Sequence, residues 1–364
     1  MVIFMKKVKL GKYISEYSVR NKGGDRLPVY SVTNSNGFCK EYFNKDVSSE
    51  DKTNYKVVPF GYFAYNPSRI NVGSIDCQEA EDKVIVSPLY NVFKCNDSVN
   101  RIFLKYFFKS TYGTQLIKAN TSGSVRANLK FKTLCDFEII ERTLAEQEKA
   151  INIFTMLNEL ISKEKRCLLL MDELIKSQFI ELFGDPMFNN KGFKTKRIDA
   201  ISKNLDSKRV PITEKDRKFG IFPYYGASGI VDYVDDYIFD EDLLLVSEDG
   251  ANLLMRSTPI AFSVNGKIWV NNHAHVLKFE NIAMQKYVEY FFAFINVSPF
   301  VTGAAQPKLN QAKLNSILIP VPDKKDLDTF YVFLNQVDKS KLNIQKRIEY
   351  YQELLNKKMD ECFN

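Results

Sequence analysis

LAEQEKAINIFTMLNELISKEKRCLLLMDELIKSQFIELF, residues Leu144 to Phe183, decides how this chain is built. Phe154, Ile161, Leu168, Ile175 and Leu182 recur every seven residues. Leu157 and Met171 occupy the neighbouring heptad position, with Glu164 and Gln178 as its polar members. Ile153, Leu160, Cys167 and Leu174 are expected to widen the apolar stripe on one side. A seven-residue apolar repeat held over about four heptads predicts a helix packed along a partner helix. No Pro or Gly interrupts it before Gly184-Asp185-Pro186, which ends it. At about 1.5 Å per residue the helix is roughly 60 Å long, more than a small domain spans. It therefore reads as a rod with something mounted on it, the alternative being a buried core helix.

Working outward, the same pattern returns after Pro322-Asp323, where the Asp can cap a helix. Leu334, Lys341, Ile348, Leu355 and Cys362 form one seven-residue row, and Val337, Ile344 and Tyr351 the next. The first row lies 180 positions after Phe154, Ile161, Leu168, Ile175 and Leu182. At that same offset Ser122-Gly123 meets Thr302-Gly303, Leu129 meets Leu309, Leu134 meets Leu314 and Ile139 meets Ile319. Glu173-Leu174 likewise meets Glu353-Leu354, and Phe183 meets Phe363. One offset holding through a loop, a strand and a long helix marks an internal duplication. Earlier segments match in order only: Leu27-Pro-Val-Tyr with Phe222-Pro-Tyr-Tyr, and Val92-Phe-Lys with Val276-Leu-Lys-Phe.

The segments before each helix are mixed. Pro28 to Val32, Tyr55 to Val58, Gly61 to Tyr65, Val84 to Ser87 and Tyr90 to Lys94 are strand-like, and Arg101 to Thr111 reads as an amphipathic helix. In the second half Leu243 to Val246, Ile268 to Val270 and His275 to Phe279 read as strands, and Gln285 to Phe294 as a helix. The expected class is α+β. Residues 1–142 and 185–322 are two similar domains, and residues 143–184 and 323–364 are two long helices. The most local partner of each helix is the other, and antiparallel pairing makes an antiparallel coiled coil with a pseudo-twofold axis. Its interface is expected at Phe154, Leu157, Ile161, Leu168, Met171, Ile175 and Leu182, against Leu334, Val337, Ile344, Ile348, Tyr351 and Leu355. Two similar globules at fixed separation suit a target with its own dyad, such as duplex DNA.

Composition permits this without requiring it. The 364 residues carry 51 basic and 44 acidic side chains, a net charge of +7 compatible with an anionic partner. Cys39, Cys77, Cys95, Cys135, Cys167 and Cys362 form no Cys-x-x-Cys pair and read as free thiols of a reducing compartment. No apolar run approaches the ~18 residues of a membrane span. The N-terminus lacks a signal peptide's apolar region. A cytoplasmic location without a membrane partner is expected.

Chemistry-bearing motifs are sparse. Asn66-Pro67-Ser68 lacks the second Pro of a methyltransferase catalytic loop and reads as a turn. There is no phosphate-binding Gly-x-x-x-x-Gly-Lys loop. His273 and His275 are expected to share one face of a strand as a hydrogen-bonded pair. Base or phosphate contact is the second reading for them, and zinc a remote one for want of further ligands. No catalytic residue, metal site or cofactor is expected.

Several runs together resemble the specificity subunit of type I restriction–modification enzymes. They are Leu144-Ala-Glu-Gln147 opening the helix, and the closing run from Leu170 through Met171-Asp172-Glu173 to Gly184-Asp185-Pro186. Tyr225-Gly-Ala-Ser-Gly, Asn271-Asn-His-Ala-His, Gly303-Ala-Ala-Gln-Pro-Lys-Leu, Ile319-Pro-Val-Pro and Asn66-Pro-Ser-Arg-Ile-Asn add to it. The second copy departs at Leu318-Ile-Pro-Val-Pro, against Glu138-Ile-Ile-Glu-Arg, and at Lys324-Lys-Asp-Leu, against Leu144-Ala-Glu-Gln. The resemblance implies a reader of double-stranded DNA that is not itself an enzyme. Each globule would be a target-recognition domain for half of a bipartite sequence. The helices would be the spacer and would dock DNA methyltransferase (modification) subunits, with restriction (translocase–endonuclease) subunits joining. The whole complex would be a DNA adenine methyltransferase and ATP-dependent endonuclease.

Such reading needs Lys and Arg for phosphates, and Arg, Asn, Gln or Ser on loops for base edges. The candidates are Arg69, Asn71, Lys118, Arg126 and Lys130 in the first globule, and Ser228, Asn272, Gln306 and Lys308 in the second. Glu159, Lys163, Lys165 and Lys176 on the helix's outer face are candidates for methyltransferase docking. Two other readings stay open: the same architecture in another DNA-methylation or phage-defence system, and a structural adaptor that binds no DNA.

Overall fold

The computed structural model of the chain describes residues 6–34, 36–40, 51–121, 128–303 and 305–364. It divides into two compact units, Met1–Arg166 with Ile344–Asn364, and Cys167–Asn343. Each unit thus holds part of both long helices. Among the described residues no helix is long and apolar enough to cross a membrane.

The strands of the first unit are β1 (Lys7–Lys9), β2 (Ile14–Glu16), β3 (Ser31–Thr33), β4 (Gly37–Cys39), β5 (Lys56–Pro59), β6 (Phe63–Tyr65), β7 (Ile75–Cys77), β8 (Lys83–Val86), β9 (Asn91–Cys95) and β10 (Glu138–Ile140). Its helices are α1 (Arg101–Lys109), α2 (Thr111–Thr121), α3 (Phe131–Cys135) and the start of α4 (Leu144–Phe183). Where one helix is expected from Arg101 to Thr111, the chain turns at Ser110 and continues as α2. An antiparallel sheet of order β2-β9-β6-β7 forms the centre, with β3-β4, β5-β8 and β1-β10 as two-stranded pairs. Phe63 and Phe93 stack with ring centroids 5.0 Å apart and meet Phe108 of α1 edge-on.

The second unit has β11 (Thr195–Arg197), β12 (Lys203–Asn204), β13 (Phe219–Gly226), β14 (Gly229–Val234), β15 (Phe239–Asp240), β16 (Leu243–Ser247), β17 (Ala261–Val264), β18 (Lys267–Val270), β19 (Ala274–Lys278) and β20 (Leu318–Pro320). Its helices are α5 (Asn252–Met255), α6 (Ile282–Phe294), α7 (Gln311–Ser316) and α8 (Lys324–Phe363), whose second half belongs to the first unit. Its central sheet runs β12-β19-β16-β17, and a second sheet runs β14-β13-β18-β15.

The duplication is therefore topological as well as sequential. The order β2-β9-β6-β7 recurs as β12-β19-β16-β17, and the pair β1-β10 recurs as β11-β20. Both α4 and α8 span 40 residues, and α8 starts and ends 180 positions after α4. The departure at Leu318-Ile-Pro leaves the strand intact, because Ile139 and Ile319 bury the shared side chain on it, at 1% and 0% exposure.

The entry to α4 explains its opening residues. The Thr143 amide donates to Glu146 Oε2 at 2.8 Å, and the Glu146 amide donates to Thr143 Oγ1 at 3.3 Å, a reciprocal cap. Gln147 is buried and accepts from the Asn100 amide while donating to the Ser98 and Arg142 carbonyls. It fastens the long helix to the start of α1. In α8 the corresponding position is Leu327, which is buried by apolar packing instead.

Within each unit the long helices run antiparallel. In the first, Phe154 lies 6.1 Å from Phe363 while Glu164 accepts from Arg347, at 2.6 and 2.9 Å. In the second, Phe183 lies 5.3 Å from Phe330 while Asp172 pairs with Lys341. The polar heptad members Glu164 and Lys341 thus each find an ionic partner on the facing helix, Arg347 and Asp172. Phe154, Leu157, Ile161, Ile175, Leu334, Val337, Ile344 and Leu355 are buried, and Leu168, Met171, Leu182, Ile348 and Tyr351 are partly buried. Of the expected widening row only Leu160 is partly buried. Ile153 and Leu174 are 42% and 49% exposed, and Cys167 is also exposed. Instead Phe179, outside both rows, is wholly buried against Tyr287 and Phe294 of α6, so the domain as well as the partner helix claims a face of α4.

Candidate nucleic-acid interface

Of the two clefts that gather candidate residues, one lies beyond the end of β6 and the other between the β13–β14 turn and the turn before β19. In the first unit, the segment after β6 closes on itself. The Asn66 amide donates to the Ser74 carbonyl at 3.1 Å, and Asn66 Oδ1 accepts from the Ser68 amide. Gly73 sits at φ 90°, and a Cβ there would lie 2.3 Å from Asn34 Oδ1, so glycine lets this loop meet the β3–β4 hairpin. Arg69 stands exposed on the loop. Asn71 and Lys118 line one cleft of about 520 Å³, together with Asn34, Lys109 and Thr114. Lys130 is exposed at the start of α3. It follows Leu129, whose amide donates to the Pro67 carbonyl and whose carbonyl accepts from Tyr65 Oη. Four of the five candidates therefore belong to, face or adjoin the loop after β6. Arg126 lies outside the described residues.

In the second unit a cleft of about 540 Å³ holds Ser228, in the β13–β14 turn, and Asn272, in the turn before β19. Thr213, Arg217, Asn271 and His273 also line it. Gln306 and Lys308 are exposed on the segment whose Leu309 amide donates to the Glu248 carbonyl at 2.7 Å. Lys308 is half-committed, since its Nζ lies 3.2 Å from Glu248 Oε1 with 51% of the side chain exposed.

The two histidines do not share a face, contrary to the expectation of a strand pair. His275 lies within β19 and is fully buried. His273 lies in the preceding turn, where Asn271 Oδ1 accepts from its amide and breaks the alternation. Its side chain is 49% exposed and its Nδ1 lies 2.9 Å from both Asp249 carboxylate oxygens.

Behind the cleft is a buried ionic network. His275 Nδ1 lies 2.6 Å from Asp206 Oδ2, and its Nε2 lies 2.7 Å from the Leu309 carbonyl. Arg209 Nη1 donates to Glu248 Oε2 at 2.7 Å and to the Ala274 carbonyl at 2.8 Å. Burial pushes the Asp206 carboxyl up, but the hydrogen bond and charge of His275, the Val276 amide and Arg209 together outweigh it and hold Asp206 below the usual range. For Glu248 burial is again opposed, by Arg209, His275 and Lys308, with the same net lowering. Asp206, Glu248 and His275 are close enough to ligate a cation. The donor set does not fit one: both imidazole nitrogens already meet acceptor oxygens, and Arg209 and Lys308 compensate the carboxylates. The network instead joins four segments, those of Asp206, Glu248, β19 and Leu309. In the first unit neutral groups stand at the matching place, with Asn91 donating to Tyr65 Oη and Tyr65 capping the Leu129 carbonyl.

Residues 190–350 match the family model of the type I restriction modification DNA specificity domain. Over 140 residues the chain is 32% identical to a putative type I restriction enzyme specificity subunit of Haemophilus influenzae, covering 38% of this chain and 36% of that protein. Over 286 residues it is 22% identical to the type I restriction enzyme MjaIX specificity subunit of Methanocaldococcus jannaschii, covering 69% of this chain and 66% of that one. Residues 190–350 of the chain are thus similar to the DNA specificity domain of type I restriction–modification systems. The matches span less than two thirds of the length of either relative. The crystal structure of a type I restriction–modification S subunit from M. genitalium has the same fold, with TM-score 0.54 and 13% identity over 100% of this chain and 97% of that one. A chain from a structural study of complex assembly and conformational transition of the type I system has TM-score 0.59 and 14% identity over 98% and 97%. The family's specificity domain takes in the second unit's cleft, its ionic network and most of α8.

Sequence reading passed over Arg217, Thr213, Asn34, Lys109 and the Asp249 partner of His273. Arg217 stacks on Tyr224 at 4.8 Å and pairs with Asp232 at 3.3 Å, contacts that no spacing pattern announces.

Proposed function

We propose that this chain reads duplex DNA as the specificity subunit of a type I restriction–modification complex. Each unit's cleft meets one half of a bipartite target. The chain performs no chemistry alone and docks methyltransferase and translocase–endonuclease subunits, with the outer faces of α4 and α8 as the docking surface. The observation that supports this best is the convergence of amide and basic side chains in a cleft of each unit of a duplicated fold, whose residues 190–350 match a DNA specificity domain. Amides suit base edges and cations suit phosphates.

The test is a gel shift of the chain, co-expressed with a modification subunit, on randomised duplexes over a range of salt. Sequence-selected binding is expected. The logarithm of affinity should fall with the logarithm of salt at a slope of about −0.9 per phosphate contacted. Neither selection nor a steep salt effect would leave the adaptor reading in its place.

A further inference from the structure

Asp249 and His273 form a pair that the ionic network does not use. His273 is fixed at its backbone, its amide donating to Asn271 Oδ1 at 2.8 Å and its carbonyl accepting from the Glu248 amide at 2.9 Å. Asp249 is held by a backbone bridge to Lys308, and only 15% of its side chain is exposed. Both of its oxygens lie 2.9 Å from His273 Nδ1. His273, half exposed, lines the cleft with Ser228 and Asn272. Among the described residues, no protein group bonds Nε2.

We infer that His273 is a base-edge reader in the second unit's cleft, with Asp249 fixing which ring nitrogen carries the proton. An ionised carboxylate only accepts, so Nδ1 must donate. In the neutral ring Nε2 is then left with a lone pair. In the major groove the groups that donate to such an acceptor are the exocyclic amines, N6 of adenine and N4 of cytosine. Guanine and thymine present only acceptors at the corresponding places. The pair therefore selects adenine or cytosine at one position of one half-site. This rests on the DNA-reading function proposed above and names a residue and a base class within it.

The pair makes an inversion test possible. The amide of Asp249→Asn can donate to Nδ1, which moves the ring proton to Nε2 and turns the reader from acceptor to donor. The probe is a randomised duplex pool, selected by the full chain with its modification subunit, for wild type, Asp249→Asn and His273→Gln. Wild type should favour adenine or cytosine at one position by about tenfold, the scale of one base contact. Asp249→Asn should shift that position alone towards guanine or thymine, and His273→Gln should flatten it. Unchanged preferences in both variants overturn the inference. So does flattening by His273→Gln without a shift in Asp249→Asn, which would leave Asp249 no part in the choice. Loss of preference at both half-sites, or a lowered melting temperature, assigns the pair to folding and also overturns it. If wild type itself selects no motif, the DNA reading fails first, and that failure is visible before any variant is compared.

Discussion

His275 of β19 and Tyr65 of β6 come from strands that are not equivalent, yet they bond matching carbonyls, Leu309 and Leu129. One does so inside a cluster of charges, the other with a neutral hydroxyl. The difference has a measurable sign. Asp206 and Glu248 are held below their usual ranges, so they add stability above their unfolded values and lose it as pH falls through the folded ones. As pH falls below about 5 the second unit should therefore lose more stability than the first. Glu141 in the first unit is also lowered, to about 2, by Lys12 and Lys6, but it lies at the surface, where solvent screens the pairing and little stability follows. Amide exchange on β16 and β19 against β6 and β9 measures the contrast, and equal acid loss in both sheets would contradict it. None of this pairing could be read in the sequence, because Asp206 and His275 are 69 positions apart. The turn that separates His273 from His275 depends on one Asn271 side chain, which a period-two strand pattern does not register.

At the level of elements, the long helices end in aromatic anchors. Phe363 is wholly buried against Phe103 and Phe107 of α1, at 4.8 and 5.5 Å, and Phe183 packs on Tyr287 of α6 at 4.7 Å. Phe363→Ala removes a ring from a filled core and should cost the first unit about 3–5 kcal/mol. Chemical denaturation followed by exchange on α1 checks this; a loss below about 1 kcal/mol would mean that the helix end is not an anchor. These helices were the most legible part of the chain, since heptad spacing and Gly184 are local signals. The domain-facing side of α4 was not. Phe179 takes its place from α6, more than a hundred residues further on, and the seven-residue frame puts Gln178 in that slot. β3, β5, β6, β8, β9, β16, β18 and β19 were found by apolar runs, but the β13–β14 hairpin was not, because Phe219 and Ile221 remain exposed at 89% and 79% and its pairing carries two register shifts. The candidate clefts were legible as regions, since loops rich in Asn, Gly and Arg flag themselves. Which side chains converge there depends on sheet order, which has no sequence period.

For the whole molecule, the equal lengths of α4 and α8 matter to the proposed bipartite reading. Inserting seven residues into both lengthens each helix by about 10 Å, close to three base pairs of rise. Methylome sequencing of cells carrying the insertion should show both half-sites unchanged and the gap between them altered. Changed half-sites with an unchanged gap would show that the helices do not set the spacing.

The division of the chain also sets an order of manufacture. The first unit includes Ile344–Asn364, whereas the second is complete within Cys167–Asn343. Chains emerge from the ribosome N-terminus first, and domains fold largely as they appear. Here the unit begun first is finished last. Phe154, Leu157 and Ile161 are made long before Leu355, Met359 and Phe363, the residues with which they share a core. While an entire sister unit is being synthesised, the nascent first unit carries an uncovered apolar strip, the kind of surface that chaperones hold. A ribosome stalled in the middle of α8 would then release a chain with a sound second unit and an unsealed first one.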